Sequence, residues 1–483
     1  MRLDKSTIRT HSVAFVMALM CALPFGVEAK TLYVNSVTGN DSTTYANNGQ
    51  SNAWRTIGRA SWGSTSYSSP NVNQAARAGD TVIVAAGTYW EGGDPQGGRF
   101  SVSLNPINSG VSGSPITFRG EGTVYVRILA SYRGAMIGCS SRDYIIWDHF
   151  VIDDYYGGST SDTGPVVFFT SHHCQLVNSE VIAHRGSYYH GYPIFDANYR
   201  GVSLEPAYFT TIRNNRIHGF NGAAGGILSY DSDDNIIEHN EVYDSKICIY
   251  FKGMHVGYTM ARNIIRFNYV HDCTRGIQTE STQDALIYQN LVVNSSSAGL
   301  YAGALGGPTR SRFINNTVYQ SAEGSAFLIE TNMREVEFQN NIFSNAPAAF
   351  SSWTTANPGL QSFIANRNLY FSQSTHAGYA SASVSFSSMQ STYGKDINSI
   401  SGQNPRFVSP ANTGGDFHLQ SGSPALTLGL DVLDLNHNGS VTDLVPAGAY
   451  VTGTEVIGLL SGSSDVSAPA PPSGVTVTIQ PVP

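Results

Sequence analysis

A phrase of apolar residues around an asparagine recurs along the middle of the chain. The sequence TTIRNNRIH at Thr210–His218 reappears in the same phase as NIIEHNEVY at Asn235–Tyr243 and NIIRFNYVH at Asn263–His271. The aligned asparagines are Asn215, Asn240, Asn268, Asn290, Asn316 and Asn341, and weaker copies place Ser179 and His149 in the same column. The intervals run from 22 to 36 residues, a period that is typical of a solenoid.

Each coil of a parallel β-helix must stack its short strands and turns on the next coil, and this repeat meets that requirement. An asparagine column can form a ladder of side-chain amides inside a turn, where it satisfies backbone groups that would otherwise be buried without partners. Leucine-rich repeats are the competing solenoid, but their L-x-x-L-x-L pattern is missing. We therefore predict an all-β chain that forms a parallel β-helix.

A second strand follows the asparagine in each coil, in the sequences GVSLE, GILSY, CIYFK and GIQTE. Since side chains alternate along a strand, the pattern predicts which of them face the interior. The inward positions are Val202, Ile227, Ile249 and Ile277, and Leu204, Ser229, Phe251 and Thr279; the outward positions are Ser203, Leu228, Tyr250 and Gln278, and Glu205, Tyr230, Lys252 and Glu280. Lys252 is thus predicted to point outward, with Tyr230 and Glu280 about 4.8 Å away in neighbouring coils.

The N-terminal end of the repeat region carries a different pattern. Thr31–Asp41, Ala53–Ala60 and Ala78–Glu91 predict a strand, a short helix and a strand. We expect this helix to cap the β-helix and to blunt its open sheet edge.

At the other end, Asn404–Leu426 followed by Val445–Tyr450 predicts a closing coil. Residues 461–483 are rich in Ser, Pro and Gly, which predicts a flexible tail. The β-helix domain is therefore expected to span residues 30–460.

The first residues predict export. Arg2, Lys5 and Arg9 precede the apolar run Val13–Phe25, and small residues follow up to Ala29, so residues 1–29 are interpreted as a secretory signal peptide. No later run reaches the roughly 18 apolar residues of a membrane span. We therefore expect a secreted protein, extracellular, periplasmic or on the cell surface, without a membrane span.

Composition narrows the range of partners. The formal net charge is −8, which argues against nucleic acid, and 49 glycines and 26 tyrosines suit an extracellular β protein with many turns. We expect a monomer. Four cysteines remain after cleavage, without zinc-type spacing, and they either pair as disulfides or are buried as small apolar residues: Cys139, Cys174, Cys248 and Cys273.

The sequence AGDTVIVAAGTY, the asparagine-marked coils and the ending GDFHLQSGSPA resemble the secreted right-handed parallel β-helix proteins of the pectate lyase-like superfamily. The resemblance covers about Lys30–Thr452. It implies a right-handed β-helix solenoid and an activity on extracellular polysaccharide, because this superfamily includes polysaccharide lyases, some glycoside hydrolases and mannuronan epimerases. The fold alone does not determine which of these activities a protein has.

Resembling lyases abstract the C5 proton of a uronate with a lysine or arginine, while calcium or another cation neutralises the carboxylate. The resemblance implies that Lys252 is the base and that Arg275, at the head of the next coil, is the neutralising partner. The residues of the same face that it implies for substrate binding are Tyr230, Tyr250, Gln278, Glu280 and Tyr301. The alternative for Lys252 is a solvated ladder pair with Glu280, which would favour the charged ammonium.

Two long loops, His184–Arg200 and Gly253–Arg262, bracket this face. The first is rich in Tyr and His, which suits stacking on sugar rings and hydrogen bonding to hydroxyl groups, although such rings also pack loops onto a scaffold. His190 in this loop is predicted to contact the substrate.

Calcium is the one cofactor that the resemblance suggests, and its ligands are not evident. The E-x-E pattern followed by lysine is absent. The acidic sequence Tyr230–Asp234 is consistent with a calcium site or with a turn capped by its own side chains. Asp434–Ser440 is similar to the start of a calcium-binding loop, but Val445 occupies the position at which such a loop has a bidentate Glu. One further column, Arg213, Glu238, Arg266 and Tyr288, predicts a surface ladder of alternating charges.

Two other functions stay open beside a lyase. A glycoside hydrolase needs two carboxyl groups about 5 to 9.5 Å apart. Glu205 and Glu280 are three coils, roughly 14 Å, apart, whereas Asp231 and Glu280 are two coils, roughly 10 Å, apart. A surface protein that binds polysaccharide without turnover is the third possibility. The lyase is preferred, on a uronate chain of the alginate or pectate type.

Overall fold

Three parallel sheets wind around one apolar interior. The structure is a computed structural model. It describes residues 28–92, 102–128, 135–154, 164–183, 188–189, 192–193, 200–220, 225–253, 260–303, 310–319, 324–329, 335–352, 363–379 and 382–461. Residues 1–27 of the predicted signal peptide, the loop residue His190, residues 254–259 and residues 462–483 of the predicted tail lie outside the described residues.

The sheets share four long strands, each of which bends from one sheet into another. The first sheet contains Ile137–Ser140, Val166–Phe169, Arg200–Leu204, Gly225–Tyr230, the second halves of Glu241–Lys252 and Tyr269–Glu280, Ala298–Gly303, Ser325–Ile329, Ala348–Ser352 and Thr375–Tyr379. The second sheet contains Thr31–Val34, the first halves of Thr81–Glu91 and Ile116–Ile128, Ile145–Asp148, Gln175–Val177, Thr211–Arg213, Ile236–Glu238, Ile264–Arg266, Leu286–Tyr288, Arg312–Ile314, Glu337–Gln339 and Ile364–Asn366.

The third sheet completes each coil. It contains the second halves of Thr81–Glu91 and Ile116–Ile128, then Val151–Asp154, Glu180–Ala183, Arg216–His218, the first halves of Glu241–Lys252 and Tyr269–Glu280, Leu291–Val293, Thr317–Tyr319, Ile342–Ser344, Leu369–Phe371 and Ile400–Ser401. All of these pairings are parallel, which confirms the predicted β-helix.

The remaining elements are short. They are the helices α1 (Ile57–Trp62) and α2 (Phe386–Ser391), the 3₁₀ turn Gln50–Asn52, the parallel pairs Ser171–His172 with Ala207–Tyr208 and Met260–Ala261 with Thr282–Gln283, and the antiparallel pairs Tyr188–Tyr189 with Tyr192–Pro193, Thr375–Tyr379 with Ala382–Val384, Phe407–Ser409 with Asp416–Leu419 and Gly429–Leu430 with Leu444–Val445.

The asparagine column forms the predicted amide ladder. Asn240 Nδ2 donates to Asn268 Oδ1 at 3.0 Å and also to the buried carbonyl of Ile212 at 2.9 Å. The same pattern links Asn215 to Asn368 through consecutive coils, with Ser179 at one end and Ser399 at the other. The ladder therefore satisfies backbone groups in the interior of the turn.

The prediction that His149 belongs to this column is wrong. The N–H of Phe150, not of His149, donates to Ser179 Oγ, so Phe150 holds the column position. His149 instead takes the preceding turn position, where its φ of 62° matches the left-handed backbone of Asn214 and His239. Weak copies of the repeat could be aligned one residue off because histidine and asparagine are both tolerated at left-handed positions.

The inward rows form the core as predicted. Ile227, Ile249 and Ile277 pair directly across consecutive strands of the first sheet, and all three are fully buried in the main apolar cluster. Leu228 and Tyr250 belong to a separate cluster on the outer face. The charged column also forms, since Glu238 lies 3.5 Å from Arg213 Nε and 2.6 Å from Arg266 Nη2.

The segment Gly402–Leu460, here called the C-terminal strap, does not add the predicted closing coil. It folds back over the outer face of the third sheet, running toward earlier coils. Its backbone N–H groups donate from Gly448 to Asn340 O, from Gly458 to Phe267 O and from Leu460 to Asn214 Oδ1. The shared apolar cluster contains Leu291, Val293, Tyr319, Ile342 and Leu369 of the sheet and Phe407, Phe417, Ala425, Leu428 and Ala447 of the strap.

At the N-terminal end, the outer edge of strand Thr31–Val34 is bonded by the segment that leads into α1. Trp54 N–H donates to Tyr33 O, and Asn35 N–H donates to Trp54 O. The first two backbone N–H groups of α1, those of Ile57 and Gly58, donate to the buried carboxylate of Glu91. These bonds occupy part of an edge that would otherwise be open.

The cysteines divide into two pairs. Cys248 and Cys273 form a disulfide between adjacent coils, whereas Cys139 and Cys174 are free and buried, with their thiols in hydrogen-bonding contact. No helix among the described residues is long and apolar enough to cross a membrane.

Candidate functional site

The outer face of the first sheet carries two rows of side chains at the predicted register. Tyr230 pairs with Lys252, and Lys252 pairs with Glu280. In the other row Tyr250 pairs with Gln278, and Gln278 pairs with Tyr301. The structure thus brings the residues that the sequence singled out onto one surface of adjacent coils. His190 lies outside the described residues.

Glu280 is the centre of a hydrogen-bond network on this face. Its Oε2 accepts a bond of 2.6 Å from the hydroxyl of Tyr250, and its Oε1 accepts a bond of 2.5 Å from Gln278 Nε2. Glu280 is 6% exposed and Tyr250 is 7% exposed. Each carboxylate oxygen therefore has a neutral donor, as a buried charge requires.

Arg275 joins the same network from the middle of strand Tyr269–Glu280. Its Nη1 donates to Gln278 Oε1 at 2.9 Å, and its guanidinium lies 4.6 Å from the ring centroid of Tyr301. The order of donation is thus Arg275 to Gln278 to Glu280. Because Gln278 is held at both ends, the guanidinium and the carboxylate keep a fixed separation along the strand.

Lys252 contacts aromatic rings rather than the neighbouring carboxylate. Its Nζ lies 5.9 Å from the ring centroid of Tyr230 and 5.7 Å from that of Tyr250. Lys252 and Glu280 are register partners, but among the described residues the Glu280 carboxylate is bonded to Tyr250 and Gln278 and is not paired with Lys252. Lys252, Tyr230 and Arg275 are half-buried, so they form the solvent-accessible part of the site.

Tyr250 is held in its neutral form. Burial raises the pKa of its phenol well above the usual range, and the Glu280 carboxylate raises that pKa further through charge and hydrogen bonding. The phenol can therefore donate a hydrogen bond but does not act as a base.

The acidic sequence after Tyr230 is mainly a bonded turn. Asp233 Oδ1 accepts the N–H of Ala261 at 2.7 Å, and both oxygens of Asp234 accept from Arg262. Their carboxylates are thus used within the protein, which is the turn that the sequence offered as the alternative to a calcium site.

The second calcium candidate is also internally bonded. Asp434 Oδ1 accepts the N–H of Gly439, and Asp443 Oδ1 accepts the hydroxyl of Ser440. Across the described ranges, no group of three or more His, Cys, Asp or Glu side chains is arranged to hold a metal ion. These residues do not fit a calcium site, and a calcium requirement stays a prediction.

Sequence reasoning missed a groove at the end of the strap. A groove of about 520 Å³ lies where the strap ends, between Leu459 and Leu460 on one side and Glu180 and Arg216 on the other. No local pattern could have indicated it, because its walls come from residues more than 240 positions apart.

Comparison with known proteins supports the fold. A family model described as "Right handed beta helix region" matches residues 200–369, which include Tyr230, Lys252, Arg275 and Glu280. No curated protein matches the chain.

Solved structures extend the likeness beyond those residues. A pectate lyase, Pel9A, is 15% identical, with 88% of this chain and 97% of that chain covered and a TM-score of 0.52. A rhamnogalacturonan lyase (12% identity, 79% and 91% covered, TM-score 0.45) and a lacto-N-biosidase from Eubacterium ramulus (12% identity, 77% and 68% covered, TM-score 0.45) also match. The family-model match, the likeness to Pel9A and the parallel sheet pairings together identify the fold of the chain as a right-handed parallel β-helix.

Proposed function

We propose that the protein is a polysaccharide lyase that cleaves a uronate-containing chain by β-elimination. Lys252 takes the proton from C5 of the uronate, and Arg275 neutralises its carboxylate. Both residues lie on the outer face of the first sheet and are half-buried, so they are accessible to a polymer at the surface.

The observation that carries this proposal is the hydrogen bonding of the Glu280 carboxylate. A carboxylate beside a catalytic lysine would hold the ammonium form by direct pairing. Here both oxygens of Glu280 accept hydrogen bonds from Tyr250 and Gln278 instead. Lys252 is therefore not paired with its acidic neighbour, and its Nζ lies near the rings of Tyr230 and Tyr250.

Arg275 supports an anionic substrate. The chain as a whole carries a net charge of −8, which would repel a polyuronate. Arg275 supplies a cation on this face, and its stacking on Tyr301 orients the guanidinium. A planar guanidinium can bind a carboxylate through two parallel hydrogen bonds.

The remaining residues of the face differ in their exposure to solvent. Tyr250, Gln278, Glu280 and Tyr301 are buried, whereas Tyr230 is half-buried. We expect the polymer to contact Tyr230, Lys252 and Arg275 first, and the buried group to hold those three in position.

The test is to incubate the purified full chain with alginate, pectate and glycosaminoglycan chains, with and without calcium, while following the ultraviolet absorbance of the unsaturated uronate. We expect the signal to appear with at least one chain. Lys252→Ala should abolish it, whereas Lys246→Ala, an exposed lysine of the same strand, should leave it unchanged.

Other results would redirect the proposal. Saturated oligosaccharides without the absorbance change would indicate hydrolysis, for which Asp231 and Glu280 are the carboxyl candidates. No product from any chain, with binding retained, would indicate a polysaccharide-binding protein. A signal that survives Lys252→Ala would exclude Lys252 as the base.

A further inference from the structure

Lys252 and Tyr230 are adjacent on one row of the outer face. They are register partners in neighbouring strands of the first sheet, and Lys252 Nζ lies 5.9 Å from the Tyr230 ring centroid. Both side chains are half-buried. The side chains of neighbouring residues in one row point away from the same face of the sheet. Both groups therefore approach a bound sugar from the same side.

The ring of Tyr230 is held in place by packing. It packs against the outer-face cluster of Leu228, Ile247 and Tyr250. A tyrosine held in this way loses little conformational freedom when it acts on a substrate, which is a requirement for positioned proton transfer.

Among the described residues, Tyr250 is the other tyrosine whose ring lies near Lys252, and it is unsuited to giving up a proton. Its hydroxyl donates to Glu280, and burial raises its pKa. Loss of that proton would leave a phenolate beside a carboxylate in a buried site, which is strongly unfavourable.

We propose that Tyr230 is the acid that protonates the leaving glycosidic oxygen, an inference that rests on the lyase function proposed above. Lys252, as the free amine, takes the proton from C5. The C5–H electron pair becomes the C4–C5 double bond, the C4–O bond breaks, and its electron pair stays on the glycosidic oxygen, which takes the phenolic proton of Tyr230. The ammonium of Lys252 then returns a proton to the phenolate of Tyr230, which restores the starting state.

This pairing determines the substrate class. If base and acid act on one side of the sugar, the proton on C5 and the oxygen on C4 must be cis. In 4-linked uronates of manno or gluco configuration they are cis, because that oxygen is trans to the carboxyl carbon. In galacturonate and guluronate they are trans. The site is therefore built for syn elimination on manno- or gluco-configured uronates.

The first experiment compares polymannuronate, polyglucuronate, polyguluronate and polygalacturonate as substrates of the full chain. We expect cleavage of polymannuronate or polyglucuronate to exceed that of the other two by about 100-fold or more. Preference for polygalacturonate or polyguluronate would overturn this inference while leaving the lyase proposal intact. No unsaturated product from any of the four, nor from the glycosaminoglycan chains tested above, would overturn the lyase proposal itself.

The second experiment examines Tyr230→Phe. We expect kcat on the preferred polymer to fall about 100-fold or more, with KM little changed, because only proton donation is lost. On a uronate with a nitrophenolate leaving group at C4, which needs no acid, the variant should regain nearly all wild-type activity. An equal loss on both substrates, or no loss on the polymer, would overturn the role of Tyr230.

Tyr243→Phe is the matched control. Its ring lies on the third sheet, stacked between His218 and His271. This variant should match the wild type on both substrates. Thermal unfolding of Tyr230→Phe followed by circular dichroism confirms that any loss of activity occurs in a folded protein.

Discussion

The hydroxyl of Tyr250 donates a 2.6 Å hydrogen bond to Glu280, and both side chains are buried on the outer face of the first sheet. Tyr250→Phe removes one of the two donors to a buried carboxylate. We expect the free energy of unfolding, measured in urea, to fall by about 1 to 3 kcal/mol. Tyr243→Phe, on another sheet, should change it by less than about 0.5 kcal/mol. Equal stability of the Tyr250 variant and the wild type would contradict the assigned network.

The asparagine ladder should be sensitive to a single truncation at its middle. Asn268 accepts from both the N–H and the side chain of Asn240, and it donates to the carbonyl of Ile237. Asn268→Ala leaves these buried groups without a partner, so we expect a loss of at least about 3 kcal/mol. Urea unfolding measures the loss, with the exposed Asn412→Ala as the control. A loss no larger than that of the control would show that the ladder contributes little to stability.

We expect His239, which lies beneath the strap, to make the free energy of unfolding depend on pH. Burial lowers its pKa to about 4, and its ring stacks on Phe267. The unfolded chain, with a histidine pKa of about 6.5, binds the proton first, so this contribution is complete above about pH 6.5 and is lost toward pH 4.

Unfolding in urea at about pH 7.5 and pH 5 tests this expectation. Between these values the wild type should lose about 2 kcal/mol more than His239→Gln, which cannot titrate. The same pH dependence in both proteins would contradict a neutral, buried His239.

We expect Glu91 to change the free energy of unfolding with pH in the direction opposite to that of His239. Burial raises its pKa to about 7, although the N–H groups of Ile57 and Gly58 bond to its carboxylate. The folded state holds the proton longer than the unfolded chain, so stability falls as the pH rises from about 4.5 to 7. Between about pH 5 and pH 8, the wild type should lose about 2 kcal/mol relative to Glu91→Gln in urea unfolding. A constant difference between the two proteins would mean that Glu91 titrates normally.

Much of the architecture follows from local pattern. The asparagine period predicted the ladder, and alternation along GILSY, CIYFK and GIQTE predicted which side chains face inward and that Lys252 lies between Tyr230 and Glu280. Each such inference needs only strand periodicity and stacking of one coil on the next. The one-residue error at His149 arose where the repeat is weakest.

The sequence by itself determined the coil repeat, the inward rows and the row that holds Lys252, because these depend on neighbours that a fixed period brings together. Only the tertiary structure decided that Tyr250 and Gln278 bind Glu280, since side-chain orientation across coils is not encoded in the period. It also decided that the strap covers the third sheet, where Leu460 bonds Asn214 across 246 positions. Apolar surface on the strap and on the sheet drives that contact, and burial of this kind has no direction or spacing that a sequence pattern can reveal.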